Sequence, residues 1–474
     1  MNFGCPSAIK SSTTSKKDGE ADRERILILG AAGRDFHDFN VFFRSRPQYK
    51  VIGFTAAQIP KIACRLYPPE LSGELYPDGL PIWPEDSLEE IIKSYTVDGC
   101  ILAYSDLSHQ AVMDLASRVL ATGADYGFLG SRHTMLKSKK PVVAVCAVRT
   151  GAGKSQTVRY VADRIRSAGI KAVVVRHPMP YGDLAEEAVQ RFSSLKELDD
   201  AEVTIEEREE YEAHIKRGSV VYAGVDYEAI LRTAEKEADV IIWDGGNNDT
   251  PFFKPDLWIT VADALRPGHE ISYYPGATNF RAANIIVINK ANSAPEMDVR
   301  SIKANAARLN PNASVVTAAS EVVAEDPGII RSKKVLVIED GPTITHGGMA
   351  YGAGLVAAKK YGASEIVDPR PFAVGSIKEV FSKFGHIGKV LPAMGYYPEQ
   401  VKELEETIDK AESDAVVIAT PVDLHRLMKI NKPSTSVFYE LVDMERPFLY
   451  DLIDEFISGL NQDEHPTKTE VRDG

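Results

Sequence analysis

The stretch Arg149-Thr150-Gly151-Ala152-Gly153-Lys154-Ser155 holds residue types able to do chemistry at a defined spacing. Glycines let backbone N–H groups close around phosphate oxygens. A helix opening directly after them presents its positive end, a lysine adds a point charge near the β- and γ-phosphates, and a serine hydroxyl is a magnesium ligand. The expected nucleotide contacts are therefore Thr150, Gly151, Ala152, Gly153, Lys154, Ser155 and Gln156. The spacing departs from G-x-x-x-x-G-K-[ST], because Val148 stands where the first glycine belongs. It fits the deviant form K-G-G-x-G-K-[ST], with Arg149 at the first basic position and Thr150 at the first glycine.

Further candidates follow downstream. The apolar run 238–243 ends in Asp244, where a carboxylate holds Mg²⁺ directly or through water, and Gly245-Gly246 allows backbone close to a γ-phosphate. Asn289-Lys290-Ala291-Asn292 approximates the guanine-reading N-K-x-D, but Asn292 replaces the aspartate that accepts from guanine. Lys290 can stack on either purine, so ATP is the expected nucleotide with GTP open. Arg176 and His177 are candidates to grip an anionic substrate or to act in catalysis, and Asp183 to hold Mg²⁺ from the opposite side. Arg266 and His269 lie in a loop after a strand and are candidates for phosphate contact and proton transfer. Thr343, Thr345 and His346, in a glycine-rich segment, can cradle a phosphate or carboxylate. Gly30-Ala31-Ala32-Gly33-Arg34 is not a full G-x-G-x-x-G, and no acidic residue ends the next strand to read a ribose. It points to an anionic group held by a helix start and Arg34 rather than to NAD.

Each of these groups needs an element to hold it. Short apolar runs ending in glycine or a polar loop alternate with helical patterns along most of the chain, which predicts βαβ units and mostly parallel sheets. The expected fold class is α/β: a Rossmann-like domain at 25–138, a P-loop NTPase domain at 139–335, and a C-terminal α/β region at 336–461 that could continue the same sheet. The segment 185–215, rich in Glu and Arg, reads as an exposed helical insertion. Residues 1–24 read as a disordered tail and 462–474 as a frayed one.

Composition narrows the function. The chain has 474 residues, with 68 Asp and Glu against 55 Lys and Arg, a net charge of −13. Such a balance gives no footprint for duplex DNA or an anionic membrane, so neither nucleic acid nor membrane is an expected partner. No run of about 18 apolar residues spans a bilayer. The four cysteines are widely separated with no C-x-x-C pair, which indicates neither a zinc knuckle nor a disulfide framework. With no apolar core to residues 1–24, the expected compartment is the cytoplasm.

Together the loop 149–155 and the runs H-P-M-P-Y-G-D at 177–183, W-D-G-G-N-N-D at 243–249 and E-D-G-P-T-I-T-H-G-G-M at 339–349 resemble the predicted GTPases grouped with cyclic 2,3-diphosphoglycerate synthetase. The resemblance covers about residues 25–445. The loop is also similar to that of dethiobiotin-synthetase-like ligases. The resemblance implies an ATP- and Mg²⁺-dependent synthetase that closes an intramolecular phosphoanhydride in a small phosphorylated acid. Lys154, Mg²⁺ and Arg149 would stabilise the leaving γ-phosphoryl while Arg176, His177 and Arg266 grip the acceptor. It also implies a homodimer, since deviant-loop ATPases complete their sites across a dimer with the first basic residue, here Arg149. The competing expectation is a regulatory or partner-stimulated GTPase, supported by N-K-x-N and the glycine pair. A third is a nucleotide sensor without turnover.

Overall fold

The computed structural model describes residues 23–464 except 32, 58–62, 178–183, 202, 204, 247–248, 346–349, 394–397 and 421. The two expected tails lie almost wholly outside the described residues. The architecture is α/β with mostly parallel sheets.

In the first domain the strands are β1 (Glu24–Leu29), β2 (Tyr49–Ala56), β3 (Leu66–Tyr67), β4 (Leu80–Pro84), β5 (Gly99–Leu102) and, beyond the short β6 (Leu107–Ser108), β7 (Asp125–Gly127). They form a sheet in the order β3-β4-β2-β1-β5-β7, parallel except for the β3–β4 edge pair. Period-two alternation along β1 sends Ile26 and Ile28 to an aromatic cluster with Phe36, Phe39, Phe54 and Tyr67. Leu27 and Leu29 go to the other face with Ile91 and Val119. The chain builds β2 and β4 on one side of β1 and β5 on the other. The crevice past the carboxyl ends of β1 and β5 is therefore the topological switch point, where ligands of open α/β sheets bind. Two loops overhang it: the turn from Gly30 into α1 (Arg34–Asp38), and residues 103–106. Past α1 the chain widens at Phe39–Phe43 into a π-helical turn, with Phe39, Phe42 and Phe43 buried. The wider turn places these three rings on the core side.

The second domain contains β8 (Val142–Ala147), β9 (Ala172–Arg176), β10 (Gln190–Phe192), β11 (Val220–Ala223), β12 (Val240–Asp244), β13 (Leu257–Asp263), β14 (Tyr273–Tyr274), β15 (Ile285–Asn289) and β16 (Ser314–Ala324). All but β14 lie in the order β10-β11-β9-β12-β8-β13-β15-β16, parallel apart from β10. The five residues of β12 and the six of β8 are buried throughout, as both-face-covered parallel strands must be. Helix α2 (Lys154–Ser167) follows β8 and buries Val158, Val161, Ala162 and Ile165. Strand β14 pairs antiparallel with β6 and so ties the segments carrying the two sheets together within one compact unit.

Helix α3 (Ile205–Lys216) corrects the expectation of an exposed insertion. Glu207, Tyr211, His214 and Ile215 are buried. They fall at i, i+4, i+7 and i+8 and form an inward stripe, with the buried Glu212 beside it, which the high charge of the segment hides.

Residues up to 319 and from 443 onward make one compact unit, and 320–442 make a second. The first unit takes in both the sheet of β1–β7 and nearly all of the sheet of β8–β16, and the second begins at Ser320. Its strands are β17 (Lys334–Asp340), β18 (Glu365–Ile366), β19 (Leu391–Ala393), β20 (Ala415–Ala419) and most of β21 (Ser434–Glu445). They are parallel in the order β21-β20-β17-β18, with β19 beside the end of β17, and carry apolar clusters of their own. The closing helix α4 (Leu449–Glu464) belongs to the first unit, where Asp454 pairs with Arg164 of α2. Cys64 is disulfide-bonded, a pairing that spacing did not indicate. Among the described residues no helix is long and apolar enough to cross a membrane.

Candidate active site

Strand β8 delivers the chain into the phosphate loop, and α2 begins at Lys154. Gly151 (φ +78°) and Gly153 (φ +105°) both adopt the left-handed conformation that favours glycine. A Cβ on Gly153 would collide with the amide groups of Asn289 and Gln156. No side chain caps the N-terminus of α2. Its first N–H groups are the ones an anion satisfies.

Several expected ligand contacts turn out to brace this loop. Arg266 Nη2 donates to the Thr150 carbonyl (2.8 Å), Lys290 Nζ to that of Gly151 (2.7 Å) and Asn289 Nδ2 to that of Ala152 (2.9 Å). The buried Asp263 carboxylate holds both cations, at 2.7 Å from Arg266 and 2.9 Å from Lys290. Asn289 and Lys290 thus reach the loop's backbone.

At the end of β12, Asp244 is fully buried and collects three partners. It pairs with Lys154 Nζ, lies 2.5 Å from Arg176 Nη1 and 3.2 Å from His214 Nε2. Arg176 also pairs with Glu210. Burial and the nearby Arg176 push the Lys154 ammonium down to about 8. Burial works against the charge on Asp244, but Arg176 and Lys154 hold it well below the usual carboxylate range. Burial lowers His214, so it is a neutral hydrogen-bonding partner at neutral pH. The sequence reading brought together Lys154, Arg176 and Asp244. It missed Glu210 and His214; His214 lies on the inward stripe of α3, whereas Glu210 lies off that stripe and is partly exposed.

A second cluster joins the two domains. Arg34 Nε lies 3.2 Å from Asp249 Oδ1, and its Nη2 donates to the Thr250 carbonyl (2.7 Å) and hydroxyl (2.5 Å). The His177 ring fills the slot between Gly33 and Gly246. A Cβ on Gly33 would lie inside that ring, and one on Gly246 would press against it at 3.0 Å. Gly33→Ala is therefore expected to break this docking and lower the melting temperature by several degrees, because a ring held on both sides has nowhere to move. Calorimetry checks this. An unchanged melting temperature would show that His177 can swing away.

His37 stacks on Phe252 (4.0 Å between centroids, 1° between planes), and its Nε2 meets the Thr134 carbonyl at 2.6 Å. Burial drives its pKa down to about 3. Beside it, Asp38 Oδ1 is buried without a hydrogen-bond partner among the described residues. Burial raises Asp38 to about 8, against the pull of Arg34 and with the push of Asp35 and Asp249. The unfolded chain releases this proton near the ordinary value, the folded one only near 8. Stability from this group is complete at acid pH and falls as pH rises through neutrality. Asp38→Asn should flatten that slope and raise stability at pH 8 by a few kcal/mol. Urea unfolding of both proteins from pH 5 to 9 tests it, and identical slopes would refute it.

Arg149 does not reach outward. Its Nε lies 2.6 Å from Asp106 Oδ1 of the first domain, its Nη1 lies 3.1 Å from His269 Nδ1, and its guanidinium sits 3.8 Å above the Tyr273 ring. Burial and then Arg149 lower the pKa of His269. Thr345 lies in the second unit, buried, its hydroxyl donating to the Gly341 carbonyl (2.7 Å). Asp183, His346 and the side chain of Thr343 lie outside the described residues.

A buried parallel strand, a loop with two left-handed glycines, an uncapped helix and a neighbouring strand ending in a buried carboxylate define a P-loop nucleotide-binding protein. No family model matches the chain. It is 60% identical over 437 residues to arginine synthetase ArcE of Thermococcus kodakarensis, covering 92% of this chain and 98% of the relative, and it belongs to that family. The relative's name thus differs from the cyclic 2,3-diphosphoglycerate group implied by the motifs. Among solved structures, the chain is similar to LpxK of Aquifex aeolicus at 15% identity and TM-score 0.43, with 74% of this chain and 95% of that one covered. It is also similar to the hydrogenase maturation factor HypB of Archaeoglobus fulgidus at 17% identity and TM-score 0.26, with 38% and 81% covered.

Proposed function

We propose that this chain is an ATP-dependent synthetase whose product is arginine. The reading rests on near-full-length identity to a protein named for that synthesis, together with a complete phosphate loop whose Lys154 converges with Arg176 on Asp244. Making a guanidinium from a urea requires turning a poor leaving group into a good one. The ureido oxygen of the acceptor attacks the γ-phosphorus and ADP departs. An amine nitrogen then adds to the ureido carbon, phosphate leaves with the former oxygen, and a proton is lost. The first step is phosphoryl transfer, in which positioning and charge stabilisation do most of the work.

Lys154 and Arg176 supply two cations beside the loop, and the N-terminus of α2 supplies backbone donors. Mg²⁺ fits the donor set: the Ser155 hydroxyl and the Asp244 carboxylate are hard oxygens, and no group of three or more His, Cys, Asp or Glu among the described residues forms a cage of its own. When bound with the nucleotide, it would neutralise charge on the β- and γ-oxygens. Asn292, in place of the aspartate that accepts from guanine, favours ATP over GTP.

The acceptor expected from the motifs was a phosphorylated acid. Arg34, Arg176 and Arg266 each carry a carboxylate partner already, so a neutral ureido group suits the site better than a polyanion. The test is to incubate the purified protein with Mg²⁺, ATP or GTP, citrulline and an ammonium salt, following arginine by mass spectrometry and phosphorus species by ³¹P NMR. Stoichiometric arginine and ADP are expected. A phosphoanhydride resonance from 2,3-diphosphoglycerate without any arginine would overturn the reading, and so would hydrolysis stimulated only by a protein partner.

A further inference from the structure

Arg149 opens the phosphate loop yet is held from the other domain. A guanidinium keeps its proton at all accessible pH values, so it always requires a counter-charge. Asp106 provides it at 2.6 Å, with both side chains about one-fifth exposed (20% and 18%). Since Arg149 can only donate, His269 Nδ1 must accept from it, which puts the imidazole proton on Nε2. The Tyr273 ring covers the guanidinium face at 3.8 Å, and the His269 ring leans on Tyr273 at 4.7 Å.

Asp106 sits just past the end of β5, at the switch crevice of the first sheet, and precedes β6, which pairs with β14. Its φ of +60° is left-handed, a conformation that Asp and Asn tolerate better than other side chains. The two interdomain ion pairs differ in kind. Arg34–Asp249 is almost entirely buried (4% and 4%), which makes it a fixed joint. The Arg149–Asp106 pair keeps about one-fifth of each side chain in solvent, so a phosphate can reach it and compete for the guanidinium as it cannot at the buried joint.

We propose that Asp106 is a positioning residue: it holds Arg149 off the phosphate cradle, and an acceptor seated in the crevice past β1 and β5 releases that arginine to the γ-phosphoryl group. Triphosphate cleavage thereby waits for the acceptor, and Arg149 acts within its own chain. The proposal rests on the loop binding a nucleoside triphosphate; it does not depend on the acceptor being a ureido acid.

Asp106→Asn is the discriminating variant, because Asn keeps the left-handed backbone and the shape while removing the charge. Calorimetric titration with Mg²⁺ and either a non-hydrolysable ATP analogue or ADP gives the ratio of the two affinities. D106N is expected to raise that triphosphate preference about tenfold over the unaltered protein, the size of one freed charge-assisted contact. Acceptor-free ATP hydrolysis should rise with it. Adding Arg149→Met should cancel the gain, and Asp106→Glu should restore the original ratio. An unchanged or lowered ratio in D106N, with an unchanged melting temperature, would overturn the proposal and leave Asp106 a structural brace. If D106N does not fold, Tyr273→Leu loosens the same clamp and must show the same gain. Failure to make arginine with the gain intact would count against the proposed function alone.

Discussion

Asp244→Asn is expected to lower turnover by about a thousandfold or more and to destabilise the protein by about 3–5 kcal/mol. Both effects come from one carboxylate. Asp244 is the shared counter-charge of Lys154 and Arg176 and accepts from His214. An asparagine leaves two cations facing each other at the end of β12, with Glu210 the one carboxylate among the described residues that still pairs with Arg176. Removing one partner of a buried ion cluster costs far more than the cluster contributes as a whole. Magnesium should reveal the division of labour. If Asp244 serves the metal, D244N binds ADP without Mg²⁺ as well as the unaltered protein does, and the Mg²⁺-dependent gain disappears. Kinetics and chemical unfolding on the same preparation check both parts. Normal turnover in D244N would remove this carboxylate from the reaction.

Arg34→Met is expected to cost a similar amount, about 3–5 kcal/mol, through the opposite fault of a stranded anion. Asp249 is buried beside it, and burial already raises that carboxyl to about 6 despite the pull of Arg34. Without the guanidinium, Asp249 should become protonated at neutral pH, and the loss of stability should grow as pH rises. The double variant R34M/D249N should recover most of the stability, since it removes both charges. It should not recover synthesis if the joint between Gly33, His177 and the loop after β12 aligns the acceptor. Full activity in the double variant would assign Arg34 a purely structural place. Equal instability of the single and double variants would show that the pair does not act as a unit.

How much of this could be read from the sequence follows from how local each feature is. The phosphate loop was legible because strand, turn and helix succeed one another within residues 142–167, and glycine spacing carries the backbone geometry. Asp244 was legible as the polar end of an apolar run. Helix α3 was misread because its inward stripe includes Glu207 and His214, residues whose type signals solvent. Arg266 and Lys290 were read as ligand contacts, but whether such a cation faces a ligand or braces the backbone turns on Asp263, which lies three residues before Arg266 yet is tied to Lys290 only by the pairing of β13 with β15.

By itself, the sequence determined the α/β class, the loop, its lysine and serine, and the carboxylate at the end of β12, all set by short-range periodicity and turn chemistry. Tertiary structure alone decided which charges meet. Arg34 finds Asp249, Arg149 finds Asp106, and Arg176 finds Glu210 across sequence separations that no periodicity encodes. The physical reason is that a charged side chain specifies only that it needs an opposite charge or water. Which one it receives is settled by which surfaces the packed sheets bring together and close to solvent.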